Sequence, residues 1–178
     1  SHRPAEARLA CLAGFFDGDG HVGCTTRMSG SRLKVSQSFD QAEVLILFRK
    51  TFGGSITCEN VGTGLWKPCL QWQACGQSAR RAAELLAPHC ITKQKQLLLA
   101  AQWPDASSRQ RELAKAELRD LKEHDSAVAG PCCWEYFAGF FDAEGYIEQP
   151  HGGNALVLKI AQKHPQVLRC IRSFLARS

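Results

Sequence analysis

The sequence has no apolar run long enough to cross a lipid bilayer, and no secretory signal is visible in it. Its charge is only weakly unbalanced: 22 lysines and arginines against 17 aspartates and glutamates give a net charge of +5. That balance is compatible with a nucleic-acid partner but does not by itself indicate one. None of the nine cysteines forms a Cys-x-x-Cys pair. We therefore expect buried, reduced thiols in an intracellular protein, in preference to a zinc site or a disulfide framework.

One stretch of the chain occurs twice within its 178 residues. Leu12–Gly20 reads LAGFFDGDG and, 125 residues further on, Phe137–Gly145 reads FAGFFDAEG. The same offset relates residues 33–37 to residues 158–162 without a gap. The chain is therefore an internal duplication, and each copy should fold as a similar unit.

Each copy predicts a helix with a glycine in its middle. Gly14 and Gly139 occupy matching positions, although glycine inside a helix costs about 1 kcal/mol relative to alanine. Because both copies carry this unfavourable glycine, we expect it to serve the same purpose in each. We expect the backbones of the two helices to approach closely there. Gly20 and Gly145 follow the helices and are expected to permit a sharp turn out of each.

Each predicted helix ends in two acids, Asp17 with Asp19 and Asp142 with Glu144. Acids at the carboxyl end of a helix oppose its dipole. Two such pairs in register indicate a divalent cation, which would compensate their repulsion. Ligands that are oxygen only favour magnesium, calcium or manganese. Helices packed side by side would bring Asp19 and Glu144 together.

With these features the sequence resembles the LAGLIDADG family of homing endonucleases and related intron maturases. Both motif copies, their duplication and a downstream glutamine in each copy agree with that family. The resemblance implies an α+β fold: a compact αββαββα unit with an antiparallel saddle-shaped sheet, duplicated about a pseudo-twofold axis between the motif helices. It implies site-specific hydrolysis of double-stranded DNA, with one cut per strand. Asp19 and Glu144 would bind the catalytic Mg2+, for which Mn2+ or Ca2+ would substitute in binding.

The resemblance also assigns roles to residues outside the motifs. Lys93, at a helix start, would lie close to the scissile phosphate and stabilise developing charge. Gln37 and Gln162 each follow the last motif acid by 18 residues and would orient water near the metals. The earlier acids, Asp17 and Asp142, are expected to tie each helix end to its neighbours and not to catalyse.

The exposed face of the strands is the predicted nucleic-acid surface. A two-stranded ribbon or a curved sheet can enter a major groove and read base edges. Contacts to phosphates should make binding strongly dependent on salt. The candidates are His21, Thr25, Arg27, Lys34, Ser36, Gln71 and Gln73 in the first copy and Lys159 in the second.

The two copies differ in length. Residues 1–126 hold the first repeat with a polar connector helix, and residues 127–178 hold a second repeat without a second hairpin or final helices. We expect a second chain or a further C-terminal segment to complete it.

Two rival functions stay open on the same scaffold. One is an RNA-binding intron maturase or splicing factor, which would recognise structured RNA by its shape and sugars. The other is a catalytically idle subunit of a larger assembly, such as an organellar ribonucleoprotein. The resemblance implies an intracellular protein, with a chloroplast or mitochondrial location expected ahead of the cytosol.

Overall fold

The structure is a computed structural model that describes residues 5–24, 30–64, 66–104, 107–130, 132–150 and 154–178. Two predicted nucleic-acid contacts, Thr25 and Arg27, lie outside the described residues. The helices and strands follow in the order α1 (Glu6–Asp19), β1 (Gly20–Cys24), β2 (Ser31–Ser38), α2 (Glu43–Phe52), β3 (Ser55–Asn60), β4 (Cys69–Cys75), α3 (Gln77–Leu86), α4 (Gln94–Ala101), α5 (Ser108–Glu123), α6 (Trp134–Glu144), β5 (Gly145–Glu148), β6 (Val157–Ile160) and α7 (Pro165–Leu175).

The first repeat is built on an antiparallel sheet with strand order β1-β2-β4-β3. Residues alternate along β2, so Leu33 and Val35 are buried while their neighbours face the other side. Trp72 on β4 is fully buried, and its ring lies 4.9 Å from that of Phe48 on α2. Helices α1, α2 and α3 cover this face, and the predicted α+β architecture is confirmed for the first repeat.

The two motif helices, α1 and α6, pack with their backbones in contact. A Cβ placed on Gly14 would lie 2.1 Å from the carbonyl oxygen of Tyr136. A Cβ on Gly139 would lie 1.9 Å from the carbonyl oxygen of Cys11. Neither distance is possible for a real side chain, so the predicted close approach at the repeated glycine is confirmed.

Gly20 and Gly145 are required for a different reason from the predicted one. Both residues are extended, with φ of −74° and −93°, so neither makes a left-handed turn. A Cβ on Gly20 would lie 2.4 Å from the ring of Phe16, and one on Gly145 would lie 2.3 Å from the ring of Phe141. Glycine is therefore required where the chain leaves each helix, as predicted, but it provides space for an aromatic ring and does not adopt a left-handed φ.

The second repeat consists of α6, the β5–β6 hairpin and α7. Leu158 is 57% exposed, whereas its first-repeat equivalent Leu33 is 0% exposed. An apolar groove of about 300 Å3 opens at this place. It is lined by Phe137, Phe141, Leu158, Ile160, Leu168, Ile171, Arg172 and Leu175, and below it is called the second-repeat groove.

Helix α5 connects the repeats. Ser107 caps it, accepting a hydrogen bond from the backbone N–H of Gln110 at 3.5 Å. This helix is the polar connector predicted from the sequence, and its Ala114 and Leu118 are buried in the first-repeat core. In the part of the chain that the structure describes, no helix has the length and apolar character needed to cross a bilayer.

The nine cysteines are all free thiols. Only Cys90 is buried, and Cys58 and Cys75 are exposed. The prediction of buried thiols is therefore right for Cys90 and wrong for Cys58 and Cys75, and the remaining six thiols are partly buried.

Candidate active site

Asp19 and Glu144 end the two motif helices and lie close together. Each is the last residue of its helix. The close contact of α1 and α6 at Gly14 and Gly139, called the glycine seam below, holds the two helix ends side by side. The pKa of Asp19 is raised, first by partial burial and then by the negative charge of Glu144. The sequence-predicted acid pair is thus assembled in space, and each acid feels the other's charge.

Each acid accepts a hydrogen bond from a glutamine of its own repeat. Gln37 Nε2 donates to Asp19 Oδ2 at 2.5 Å, and Gln162 Nε2 donates to Glu144 Oε1 at 2.8 Å. Strand pairing explains why each glutamine reaches its acid. The strand that follows each motif helix pairs antiparallel with the next strand, β2 or β6, and this brings the glutamine back to the helix end. The glutamines fix the orientation of the carboxylates.

Asp17 ties the end of α1 to the start of α4. Its buried carboxylate accepts backbone N–H bonds from Ile91 at 2.5 Å, Thr92 at 3.0 Å and Lys93 at 2.8 Å. The hydroxyl of Tyr136, from the second repeat, donates to it at 2.7 Å. Asp17 therefore anchors three segments at one point, which is the structural role expected of it.

Asp142 occupies the matching position in the second repeat but is exposed. Among the described residues no hydrogen bond or ion pair reaches its carboxylate. The negative charge of Asp142 instead contributes to raising the pKa of Cys11, after burial of that thiol. Asp17 has an anchoring role that Asp142 lacks.

Lys93 lies at the end of α1, where the resemblance predicts a lysine. Its Nζ donates to the carbonyl oxygens of Phe16 at 3.1 Å and Gly18 at 3.0 Å, and to that of Asp17 at 2.5 Å. Burial lowers the pKa of this amine, although the surrounding acids oppose the shift. The ammonium group compensates the dipole of a helix that ends in acids.

The acids suit a divalent cation of the magnesium type. Magnesium in proteins is held by one or two carboxylates, with waters and substrate phosphates completing its shell. Asp19 and Glu144 supply two such carboxylates, and their mutual repulsion is what a cation would relieve. Over the described ranges, no group of three or more His, Cys, Asp or Glu side chains forms a closed metal cage. The donor set therefore fits a metal that needs the substrate as a ligand.

A cleft of about 300 Å3 opens beside Glu144. Lys122 from α5 enters it, and its Nζ lies 3.4 Å from Nε2 of His21. Sequence reasoning missed Lys122, since its approach depends on where the connector packs. Lys163 and His164 were also missed, although they directly follow Gln162 in sequence. The lining comprises Asp17, Gly18, Gly20, His21, Val22, Lys93, Gln96, Lys122, Glu144, Gln162, Lys163 and His164.

His21 is neutral at physiological pH. Burial lowers its pKa to about 4, helped by the positive charges of Lys122, Lys34, Arg32 and Lys93. A neutral imidazole can accept a hydrogen bond from the Lys122 ammonium group. His21 therefore offers hydrogen bonding, and no positive charge, to a nucleic acid.

The predicted nucleic-acid surface of the first repeat forms rows across the sheet. His21 pairs with Lys34, which pairs in turn with Gln73, so these residues make one row. Ser36 and Gln71 make the next. The side chains in each row lie on the face opposite the core, as the alternation predicts.

Two predicted contacts are already engaged within the protein. Gln71 is only 8% exposed, and its Nε2 donates to Ser36 Oγ at 3.2 Å and to Glu59 Oε1 at 2.7 Å. Lys159 is exposed but forms an ion pair with Glu148 across the β5–β6 hairpin. The sequence predicted both residues as nucleic-acid contacts. It did not show that Gln71 and Lys159 have partners within the protein, which strand pairing brings close to them.

Comparisons with solved structures identify the fold. The homing endonuclease I-GzeII, solved with its DNA target, matches with a TM-score of 0.58 at 14% identity, covering 94% of this chain and 71% of that one. The meganuclease I-SmaMI, bound to uncleavable DNA, matches at 0.56 and 13% identity, covering 97% and 73%. I-CvuI, solved with its target and Ca2+, matches at 0.51 and 23%, covering 68% and 85%.

Neither a protein-family model nor a curated protein matches the sequence. The structural likeness nevertheless extends over both motif helices and both sheets, since it covers more than nine-tenths of this chain in two of the comparisons. The chain has the fold of the LAGLIDADG homing endonucleases.

Proposed function

We propose that the chain is a divalent-metal-dependent endonuclease that binds double-stranded DNA. The observation that carries this proposal is the pair of acids at the touching ends of α1 and α6, each oriented by a glutamine. Two carboxylates at adjacent helix ends repel one another, and a bound cation would offset that repulsion. They become useful when a cation and a phosphate join them.

The reaction proposed is hydrolysis of a phosphodiester. A water oxygen forms a bond to phosphorus while the bond from phosphorus to the leaving sugar oxygen breaks. One proton of the water passes to solvent, and the leaving oxygen takes up a proton. Bound metal would lower the pKa of the water and stabilise the leaving oxygen. Asp19 and Glu144 would hold that metal, and Gln37 and Gln162 would keep the carboxylates oriented.

Duplex DNA is favoured over RNA by the shape of the first-repeat sheet. The polar row that contains Lys34 and Gln73 lies on an open antiparallel surface, which can follow a wide major groove. The major groove of an RNA helix is deep and narrow and does not admit such a surface. The solved structures that match this chain include complexes with DNA targets.

The test is a selection from mixed libraries of random duplex DNA and structured RNA. Binding is carried out in Ca2+, and the bound pool is then challenged with Mg2+. We expect enrichment of one duplex sequence that is cut when Mg2+ is added. Enrichment of RNA that stays intact would overturn the proposal in favour of an RNA-binding maturase. Enrichment of neither would favour a subunit without a nucleic-acid activity of its own.

Variants of the acids separate catalysis from binding. Asp19→Asn and Glu144→Gln should abolish cleavage and leave DNA affinity nearly unchanged. Asp142→Asn is the matched control, because this exposed acid lies at the same helix end and should be dispensable. Equal loss of cleavage in all three variants would argue that the helix ends act only structurally.

We further propose that a polypeptide segment with a β-strand and an amphipathic helix completes the second repeat. In the first repeat, β4 pairs with β2, and α3 places small residues over the core. In the second repeat, the equivalent edge of β6 has no neighbour among the described strands, and the second-repeat groove is open. In this chain the equivalent segment, with the buried Trp72, is already packed in the first repeat.

Fusing a further copy of residues 53–104 after Ser178 tests this proposal. The fusion should raise the melting temperature and shield the groove from an apolar dye. Leu158→Asp is the control, since it should be tolerated in the unfused chain, where Leu158 is 57% exposed, and should cancel the gain in the fusion. An unchanged melting temperature in the fusion would count against completion by such a segment.

A further inference from the structure

Residues 91–93, which precede α4, join the two repeats. The backbone N–H of Ile91 donates to Asp17 of the first repeat at 2.5 Å. The side chain of Ile91, by contrast, is fully buried in a second apolar cluster, called the second-repeat core below. That core also contains Tyr136, Phe140, Val167 and Ile171. One residue is therefore bonded to the first repeat through its backbone and packed in the second repeat through its side chain.

The linker that leads into α6 also packs on Ile91. The backbone N–H of Val128 donates to the carbonyl oxygen of Ile91 at 2.9 Å. A Cβ placed on Gly130 would lie 2.8 Å from Cγ1 of Ile91, which is too close for a real side chain. The second repeat therefore holds Ile91 through both its side chain and its carbonyl group, and a shift of that repeat would displace residues 91–93.

Tyr136 reaches the same point from α6. Its hydroxyl donates to Oδ2 of Asp17 at 2.7 Å, the oxygen that also accepts the N–H of Ile91. Burial and the negative charge of Asp17 raise the pKa of this hydroxyl, so it stays protonated and donates. The ring of Tyr136 stacks on that of Phe140, with 6.0 Å between their centroids. A phenylalanine at position 136 would keep this ring packing and lose only the bond to Asp17.

Lys93 ends this segment beside the acid pair. Asp17 and Lys93 both line the cleft next to Glu144, and Oδ1 of Asp17 accepts the backbone N–H of Lys93 at 2.8 Å. Burial lowers the pKa of the Lys93 amine, and the charges of Glu144 and Asp19 are among those that oppose the shift. The ammonium group therefore interacts with both acids, and the fixed carboxylate of Asp17 holds its backbone in place.

We propose that Ile91 and Tyr136 are positioning residues of the active site, through which the second repeat fixes the Lys93 ammonium group beside the acid pair. This inference rests on the proposed endonuclease function. Neither Ile91 nor Tyr136 is exposed, so neither would touch DNA. Their effect on the reaction passes through Lys93, because a displacement of about 1 Å at a reacting group can slow a reaction by about 100-fold.

The first test measures cleavage with the full chain and the duplex enriched in the selection. Tyr136→Phe and Ile91→Ala should each slow single-turnover cleavage in Mg2+ by at least about 10-fold and leave DNA affinity in Ca2+ unchanged. Val167→Ala is the matched control, because it truncates the same core but lies on α7, outside residues 91–93. It should lower the melting temperature and leave the cleavage rate unchanged. In a Lys93→Met background, Tyr136→Phe should cause no further slowing.

Amide hydrogen exchange tests the positioning without cleavage. The N–H groups of residues 91–93 should exchange about 10-fold faster in Tyr136→Phe than in the unmodified chain, and no faster in Val167→Ala. Unchanged exchange in Tyr136→Phe, equal slowing of cleavage by Val167→Ala, or further slowing in the Lys93→Met background would overturn the inference. If the unmodified chain cuts no selected duplex, the proposed function fails, and the exchange rates still decide whether the second repeat holds residues 91–93.

Discussion

The two repeats share a motif but differ in what surrounds it. Asp17 is buried under four hydrogen-bond donors, whereas Asp142, at the same place in the second motif, is exposed. The backbone N–H groups that donate to Asp17, at residues 91–93, follow α3, and no described residue donates to Asp142. The comparison teaches that the motif specifies the helix and its acids, while the later elements of a repeat decide whether an acid acts as an anchor.

The largest difference between the repeats is expected at these two aspartates. Asp17→Ala leaves three backbone N–H groups and the Tyr136 hydroxyl without their acceptor, which should lower the free energy of unfolding by at least about 4 kcal/mol. Asp142→Ala should change it by less than about 0.5 kcal/mol. Urea denaturation of both variants measures the difference. Similar losses would mean that Asp142 has an anchor of its own.

A second difference is expected beneath the second-repeat groove. Leu45 on α2 is fully buried, whereas Leu168 on α7, which lines the groove, is only partly buried. Leu45→Ala should cost about 3 kcal/mol in unfolding free energy and Leu168→Ala about 1 kcal/mol. Thermal and urea unfolding give both values. Equal costs would show that the groove is closed in solution.

The glycine seam should show no such difference. Gly14→Ala and Gly139→Ala each push a methyl group against a carbonyl oxygen of the facing helix. The overpacking should cost about 2 kcal/mol in each variant, after the gain in helix propensity is included. The variants should also lose metal affinity together, because both separate Asp19 from Glu144. If only one variant loses unfolding free energy, the two glycines do not contribute equally to the packing of α1 against α6.

The spacing of residues predicts the site only where the contacts are local. Asp19 with Gln37 and Glu144 with Gln162 follow from a helix and a hairpin, so their 18-residue spacing was informative. The family resemblance supplied Lys93, which reaches α1 across more than 70 residues.

Contacts made by tertiary packing were not predictable in this way. Lys122 reaches His21 across 101 residues, because Ala114 and Leu118 of α5 pack the connector on the core. The alternation of β4 correctly placed Gln71 on the open face. It could not show that Ser36 and Glu59 would bury its amide, since that depends on strand register.

The smallest predicted effect also separates the repeats, through pH. His21, whose pKa is lowered to about 4, is matched in the second repeat by Tyr146, which does not titrate in acid. Between about pH 4 and the usual histidine pKa near 6.5, the unfolded chain binds a proton at His21 that the folded chain does not. The contribution of this group therefore makes stability fall as pH drops through that window, and His21→Gln should flatten the fall.

NMR titration of the imidazole measures the shift directly. Lys122→Met should raise the pKa of His21 toward its usual value, because it removes the largest of the neighbouring positive charges, while burial keeps the pKa below 6.5. The stability loss in acid should then be confined to a narrower range of pH. A His21 that titrates near 6.5 in the unmodified chain would show that Lys122 and the connector do not close over the first repeat.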